Sequence, residues 1–271
     1  MSLGLGLPLH KARFRGYTSL FDVVGGAAFG YSLRRLSSTA TNCIRVRRSG
    51  DNAESDFGFV NNYLNTASLV AFCIAGGGTQ NGQIVTWYDQ SGNNYHVTNA
   101  TPAQQPTIVT AGALVTLGSH TAVSADGGDS LLYTLGAAQA QPATIFMVAN
   151  ATGGSGTGVF GGTGTRWTIQ ANNITSWLVN AGVTLSSGIT TAARRLIYSL
   201  INGGSSVISL NGAAGTSGNA GASTTQTIRL FNDSAGAGMN GNIQECVGWF
   251  NNRSSDKSLI ESNINDYYGI Y

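Results

Sequence analysis

The chain has 271 residues, of which 38 are glycine, 42% are hydrophobic and only 10% are charged, with a formal net charge of +2. The hydrophobic content suffices for a sizeable core and excludes global disorder. A coiled coil is excluded because it needs abundant Ala, Glu, Lys, Leu and Arg, and collagen because the glycines show no three-residue period.

The N-terminal segment combines a Gly/Leu-rich opening with basic residues, and we interpret residues 1–20 as an arm that precedes the domain. We expect this arm to dock on neighbouring subunits and to mediate self-association. The opening lacks the basic n-region and the full apolar h-region of a secretory signal, so we expect a protein made in the cytoplasm and not secreted. No apolar run reaches the roughly 20 residues that a membrane-spanning helix needs.

Eight of the 14 Lys and Arg residues lie within residues 1–50, where only Asp22 opposes them. Such a cluster can mark a surface for nucleic acid or another anionic partner. It lacks the regular interleaving of aromatic residues that single-strand binders use. We therefore favour pairing of the arginines with Asp51, Glu54 and Asp56 just downstream, and we do not expect nucleic acid as a partner.

The first part of the domain predicts several short elements. Residues 21–36 fit a short helix followed by a strand. Residues 43–48 alternate apolar and arginine side chains, which is typical of a strand with one solvent-exposed face. Residues 84–88 predict a buried strand, and residues 89–94 form a polar turn.

Two segments predict helices. Residues 65–74 carry an apolar side behind Asn65 or Thr66, either of which can serve as the N-cap. Near the C-terminal end, residues 255–268 show helical apolar spacing behind Ser255 as a cap. The apolar residues of this second helix are expected on one face: Leu259, Ile260, Ile264 and Tyr267.

Between these helices, short β-rich runs alternate with Gly, Ser, Asn and Thr at a spacing of about 8–12 residues, which is typical of an all-β sandwich or barrel. Residues 202–204, Asn-Gly-Gly, separate two of the runs and predict a hairpin. The runs are 107–109, 113–117, 131–133, 144–149, 158–160, 167–170, 176–179, 195–201, 207–210, 227–232 and 243–250. No linker breaks the series, so residues 21–271 are predicted to form one domain.

Three stretches of the N-terminal half resemble a known family: AFGYSLRRL at 28–36, IRVRRSGDNAESDFGF at 44–59 and VTWYDQSGNN at 85–94. This block, from residue 27 to about residue 106, is similar to the N-terminal part of the catalytic domain of fungal α-L-arabinofuranosidase B. It also resembles LamG-like jelly-roll segments of phage and bacterial surface proteins. The YDQSGN stretch carries the most specific part of the likeness.

The C-terminal half resembles the LamG and pentraxin-like half of such sandwiches. The likeness rests on the turn and strand at 124–132 and on the strands at 144–149, 207–212 and 241–250. The resemblance implies an all-β concanavalin/LamG-like jelly-roll β-sandwich, with a short helix near 65–75 and a C-terminal helix.

The leading functional expectation is a structural protein of a bacteriophage virion, in a spike, tail or capsid surface, on a glycan-binding type of fold. It rests on the likeness to phage-borne segments, on a fold used outside cells without a secretory signal, and on the arm. The expected partners are other virion proteins and a host surface glycan for attachment. The alternative is an arabinofuranosidase-like glycoside hydrolase, although we expect the non-enzymatic role.

A glycoside hydrolase needs two carboxyl groups that flank a sugar, and the chain has only three glutamates. Glu54 lies in the basic block and is expected to pair there, whereas Glu261 on the C-terminal helix is expected to be solvated. Glu245 could contact a ligand on the concave sheet or bond to a neighbouring strand. For the hydrolase alternative, the best available pair is Glu245 with Asp89 or Asp126.

Asp89 directly follows the strand at 84–88 and has two structural interpretations. Its carboxylate can accept backbone N–H groups in an Asx-turn, or it can form a buried clamp with Arg45, Arg47 or Arg48. We favour a structural role for Asp89 over a catalytic one.

Asp126 and Asp129 lie three residues apart in a Gly-rich turn and could bind Ca²⁺ together with nearby carbonyls. An ordinary turn is the alternative, and no other cofactor is expected. The cysteines Cys43, Cys73 and Cys246 are widely spaced and are expected to be buried free thiols, with one disulfide as the alternative.

A glycan would be bound at one rim or on the concave sheet by a few aromatic and amide side chains. The candidate contacts are Trp167, Trp177, Asn180, Asn232 and Asp233, together with Glu245. In the alternative, both tryptophans belong to the core and the amides only close turns.

Overall fold

Antiparallel β-strands are the predominant secondary structure, as the spacing of the apolar runs predicts. The computed structural model describes residues 18–75, 77, 80–153, 157–162, 167–172, 175–233 and 238–271. Within these residues, 20 strands are joined by hydrogen bonds into one nearly closed, mostly antiparallel sheet. The predicted arm lies outside the described residues except for positions 18–20.

The strands and helices are numbered in chain order. The strands are β1 (Phe29–Ser32), β2 (Asn42–Arg48), β3 (Glu54–Val60), β4 (Tyr63–Leu64), β5 (Gly82–Trp87), β6 (Val97–Thr98), β7 (Thr107–Thr110), β8 (Ala113–Leu114), β9 (Thr116–Leu117), β10 (His120–Thr121), β11 (Val123–Asp126), β12 (Leu131–Gln139), β13 (Ala143–Gly153), β14 (Thr157–Gly161), β15 (Thr168–Asn172), β16 (Ser176–Asn180), β17 (Thr184–Ser186), β18 (Arg195–Ile201), β19 (Ser206–Leu210), β20 (Thr216–Gly218), β21 (Thr225–Leu230) and β22 (Asn240–Trp249). The α-helices are α1 (Leu20–Val23), α2 (Thr66–Ile74) and α3 (Lys257–Tyr268). None of the described helices combines the length and the apolar character that a membrane crossing requires.

The strands form two layers that face each other. In the first layer, β22 pairs with β13 on one side and with β1 and β11 on the other, and β13 leads on to β18, β19 and β20. The second layer runs in the order β3, β2, β5, β6, β12, β21, β14, β15, β16, β17. Phe29 of β1 stacks on Phe160 of β14 with 5.7 Å between ring centroids, and Tyr31 of β1 contacts Trp87 of β5. These contacts between the layers confirm the predicted all-β sandwich.

Strand β13 is buried on both faces because a second, smaller core lies outside the sandwich. Ile145 and Met147 belong to the main core, whereas Phe146 and Val148 belong to the core that α3 covers. Alternate residues of a strand point to opposite faces, so a strand covered on both faces has no polar alternation. The helix therefore accounts for the continuous apolar run at 144–149.

The structure confirms several predictions about local elements. Asn65 caps α2, and its side-chain oxygen accepts a hydrogen bond from the Ser68 N–H at 3.2 Å. The predicted helix and strand within 21–36 are α1 and β1, and the predicted hairpin at 202–204 joins β18 to β19. Each of these features depends on a few neighbouring residues, which is why a sequence pattern can identify it.

The three cysteines are buried free thiols, as expected. Burial raises the pKa of Cys43, Cys73 and Cys246. At neutral pH these thiols stay protonated and act as small apolar groups of the core.

The C-terminal helix is present, but its predicted start and buried face need correction. Residues Ser254–Asp256 form a 3₁₀ turn and the α-helix begins at Lys257, so Ser255 is not its cap. Leu259 is 50% exposed, although it was expected on the apolar face. The buried residues of α3 are Ile260, Glu261, Ile264 and Tyr268.

Glu261 is buried rather than solvated, because α3 supplies a partner for its charge. The ammonium group of Lys257, one turn earlier, donates to Glu261 Oε2 at 2.9 Å. Residues four apart on a helix are neighbours, so this pair forms within α3 itself.

Trp177→Ala should strongly destabilise the protein, because the Trp177 ring on β16 is fully buried in the main core. We expect the free energy of unfolding to fall by about 3–5 kcal/mol in denaturant titrations. Val183→Ala is the control: Val183 follows β16 and is 46% exposed, so the change should stay within about 0.5 kcal/mol. Equal, small losses in both variants would contradict the core position of Trp177.

Candidate functional site

The carboxylate of Asp89 organises the turn that the YDQSGN stretch forms. Asp89 Oδ1 accepts the backbone N–H groups of Gly30 at 2.8 Å and Ser91 at 2.9 Å. Its Oδ2 accepts the Ser91 hydroxyl at 2.7 Å and the Tyr95 N–H at 3.1 Å. The predicted Asx-turn is present, and both carboxylate oxygens are already engaged in it.

The predicted clamp between Asp89 and an arginine is wrong, because the arginines of β2 bond to other side chains, Arg45 and Arg48 to carboxylates and Arg47 to amides. Arg45 contacts Glu54 at 2.7 Å and Asp56 at 3.1 Å, since the register of β2 and β3 places it opposite Asp56. Arg48 pairs with Asp51 at 2.6 Å, and Arg47 donates to Gln105 Oε1 at 2.7 Å. Arg45 and Arg48 thus pair with the downstream carboxylates, as the pairing interpretation predicts, whereas Arg47 is held by an amide oxygen.

Glu245 forms a fully buried ion pair with Arg34. The Arg34 Nε donates to Glu245 Oε2 at 2.8 Å, and its Nη2 donates to Oε1 at 2.9 Å. The side chains of Arg34 and Glu245 are 1% and 0% exposed, and the Ser32 hydroxyl also donates to Oε2. Glu245 therefore has a structural partner on the neighbouring segment. The catalytic pairs that the hydrolase alternative suggested, Glu245 with Asp89 or Asp126, are wrong for this reason. Sequence reasoning missed this role of Arg34, which was only counted in the basic cluster and in the AFGYSLRRL stretch at 28–36.

Both candidate tryptophans lie in the main core, as the alternative interpretation had it. Trp167 and Trp177 are 0% exposed, and the Trp167 Nε1–H donates to the Ser223 carbonyl at 2.6 Å. Asn180 closes the turn after β16, since its Oδ1 accepts the Gly182 N–H at 2.9 Å. These three residues therefore have structural roles and do not form the expected ligand-binding rim.

Asp233 is buried against the outer face of the second layer. Ile169 and Ala171 of β15 belong to the main core, so Gln170 between them faces the other way. The Gln170 amide donates to Asp233 Oδ2 at 2.8 Å. Asp233 has no solvent exposure. Sequence reasoning named Asp233 but missed Gln170, a polar residue in an otherwise apolar strand.

Two glycines of β14 leave room for Asp233. A Cβ at Gly158 would lie 2.3 Å from the Cβ of Asp233, and one at Gly161 would lie 3.0 Å from it. Any side chain at Gly158 would therefore displace the loop that carries Asp233. The Gly-rich sequence here serves the close approach of a carboxyl-bearing loop.

The turn with Asp126 and Asp129 lies against that same loop. A Cβ at Gly238 would lie 2.3 Å from the Gly127 carbonyl oxygen, and Gly238 pairs with Asn232 in an isolated bridge. The fold thereby brings together, at one end of the sandwich, two segments that the sequence suggested as separate sites. We refer to Asp126, Asp129, Asn232, Asp233 and Gln170 as the carboxyl site. Residues 154–156, 163–166, 173–174 and 234–237 lie outside the described residues.

Within the carboxyl site, Asp129 has an unusual protonation equilibrium. Burial raises its pKa to about 6, although its Oδ2 accepts the Asp126 N–H at 3.1 Å. Asp126 Oδ1 in turn accepts the Gly128 N–H at 2.9 Å. Asp129 is thus a carboxyl group that is partly protonated just below neutral pH.

A second feature of the carboxyl site is a buried acceptor. Asn232 Oδ1 is buried and has no hydrogen-bond partner in the described part of the chain. Among the described residues, no group of three or more His, Cys, Asp or Glu side chains could hold a metal ion. Calcium binding by Asp126 and Asp129 stays a prediction.

Comparison with solved structures shows the fold. The chain aligns with a mutant GH54 α-L-arabinofuranosidase, soaked with 4-nitrophenyl α-L-arabinofuranoside, at a TM-score of 0.65 and 17% identity, over 92% of this chain and 64% of that one. An arabinofuranosidase complexed with arabinofuranosyl-α-1,2-xylobiose aligns at 0.64 and 16%, with the same coverage. The chain thus spans about two thirds of the length of these structures. No protein-family model and no curated protein matches it.

These comparisons correct the leading functional expectation. The fold is shared with arabinofuranosidases over nearly the whole chain, beyond the block of about 80 residues that carried the sequence resemblance. The expectation of a bacteriophage structural protein is therefore wrong, and the alternative, a glycoside hydrolase, fits the findings better.

Glu245→Gln should destabilise the protein, because it leaves the Arg34 charge buried without its counter-charge. We expect a loss of about 3–5 kcal/mol in the free energy of unfolding. Glu54→Gln, which weakens the partly exposed pair with Arg45, is the matched control and should cost at most about 1 kcal/mol. Urea titrations measure both, and a cost for Glu245→Gln no larger than the control would refute the structural role.

Asp129 should make folding less favourable as the pH rises. Its pKa is about 6 in the folded state and about 4 when unfolded, so the folded state binds more protons between these values. The contribution of Asp129 to the free energy of unfolding is complete below pH 4 and is lost as the pH rises through 6. Asp129→Asn should make the melting temperature depend less on pH between pH 4 and 7 than it does in the wild type. Parallel pH profiles for the two proteins would contradict the raised pKa.

Proposed function

We propose that the chain is a glycoside hydrolase that acts on glycans with arabinofuranosyl groups. The observation that carries the proposal is the fold shared with arabinofuranosidases over 92% of the chain. The carboxyl site adds chemistry of the required kind, because glycosidases use one protonated and one ionised carboxyl group on either side of the scissile bond.

In this proposal Asp129 is the general acid. A general acid works best when its pKa lies near the operating pH. Burial raises the pKa of Asp129 to about 6, which keeps a substantial fraction protonated in mildly acidic solution. The same burial keeps water away from the proton that the leaving oxygen would receive.

Asp233 is the second carboxyl group. The Gln170 amide orients it, and the glycines of β14 let its loop approach the sheet. In this proposal Asn232 Oδ1, which is buried and lacks a partner among the described residues, would accept a hydrogen bond from a sugar hydroxyl. Such an unpaired buried acceptor is costly unless a ligand or water fills it.

A glycan-binding role without hydrolysis is the second candidate. It is favoured by the complete burial of Asp233, because a nucleophile or base must reach the anomeric carbon or its attacking water. In that case the carboxyl site would recognise sugar hydroxyls without cleaving the glycosidic bond.

Turnover of 4-nitrophenyl α-L-arabinofuranoside tests the proposal. We expect release of nitrophenol by the intact chain, and a loss of kcat of about 100-fold or more in Asp129→Asn and in Asp233→Asn. Because Asp129 must be protonated, kcat/KM should fall as the pH rises through about 6. Asp256→Asn, in a partly exposed pair with Arg253, is the control and should keep full activity.

The other outcomes separate the two candidates. If the chain binds the arabinofuranoside without cleaving it, and Asp233→Asn abolishes this binding, then glycan binding replaces hydrolysis as the proposed function. Neither binding nor turnover, or turnover that survives both substitutions, would refute the assignment of the carboxyl site.

A further inference from the structure

A polar pocket of about 260 Å³ lies between the segment at 39–42, which leads into β2, and the turn after β5. None of the residues that line it belongs to the carboxyl site. Its walls include Thr41, Asn42, Tyr88, Asn94 and His96. The sequence singled out this turn for its YDQSGN stretch, but the proposed hydrolysis does not use it.

The rim of the pocket carries side chains with spare hydrogen-bonding capacity. Thr41, Asn42 and Asn94 are exposed, and their side chains make no hydrogen bond to other described residues. A hydroxyl and two primary amides offer both donors and acceptors. Asn94 is held with φ at +61°, so the backbone fixes the direction of its Cα–Cβ bond.

His96 adds a donor and an aromatic wall. Its Nδ1 accepts the Asp89 N–H at 3.0 Å, so the neutral ring carries its proton on Nε2. Burial lowers the pKa of His96 and favours this neutral form. The ring meets Tyr88 edge to face, with 5.0 Å between centroids.

The charged groups at and near the pocket are bonded to other groups of the protein. Asp89 is the one charged residue among those that line it, and its two oxygens accept four hydrogen bonds within the turn. Arg45 nearby in β2 is paired with Glu54 and Asp56. The pocket therefore favours a neutral ligand with many hydroxyls over an ion.

We propose that this pocket binds one sugar unit of a neutral glycan. Hydroxyl and amide groups on the rim meet sugar hydroxyls, while the Tyr88 and His96 rings face the apolar C–H surface of the sugar. The volume lies just below the roughly 300–1,000 Å³ of pockets for drug-sized ligands, which suits a single ring. The inference does not depend on hydrolysis at the carboxyl site.

Saturation-transfer NMR with methyl α-L-arabinofuranoside, methyl β-D-xylopyranoside and glycerol tests the proposal. We expect the wild type to bind at least one of the two glycosides more tightly than glycerol. The double variant Thr41→Val with Asn94→Gly should bind that glycoside about tenfold more weakly, because two hydrogen-bonding groups are removed. Valine preserves the shape of threonine, and glycine accepts the positive φ without strain, so circular dichroism and melting should be unchanged.

Two control variants locate the binding. Thr134→Val removes an exposed hydroxyl of β12 outside the pocket and should leave the affinity unchanged. Asp233→Asn should abolish turnover yet retain binding here, which separates this proposal from the proposed function. The pocket assignment is refuted if neither glycoside binds, if glycerol binds as tightly as both, or if the double variant binds like the wild type.

Discussion

The buried ion pair between Arg34 and Glu245 ties together parts of the chain that lie far apart in sequence. Glu245 lies on the central strand β22, and Arg34 follows β1. The same carboxylate accepts the Tyr268 hydroxyl of α3 at 3.3 Å, and Arg34 Nη1 donates to Asn263 Oδ1 of the same helix at 2.8 Å. Because an unpaired charge is costly in the interior, this network couples the packing of β1, β22 and α3.

The outer faces of the two layers are covered by different elements. The apolar side of α3 covers the outer face of β13, β18 and β22, which forms the second core. On the second layer, the outer face around β14 and β15 is covered instead by the loop that carries Asp233. The difference explains why β13 carries a continuous apolar run, whereas β15 carries the polar Gln170 on its outer face.

Many of the few charged side chains already have partners within the protein. The arginines of β2 are held by hydrogen bonds or ion pairs, and Glu245 and Glu261 are paired in the interior. The polar pocket offers exposed hydroxyls and amides, whereas the carboxyls of the carboxyl site are mostly buried or bonded within the protein. In the proposed function, such groups would meet the hydroxyls of a neutral glycan.

The sequence by itself determined the all-β class, the helix α2 with its Asn65 cap, the hairpin at 202–204 and the Asx-turn at Asp89. Each of these follows from strand spacing or from hydrogen bonds between residues close in the chain. Only the tertiary structure decided that Glu245 pairs with Arg34, that both tryptophans are core residues, and that the turn at 126–129 meets the loop of Asp233. These contacts join residues tens to hundreds of positions apart, so they depend on strand register and on the packing of the two layers, which no local pattern encodes.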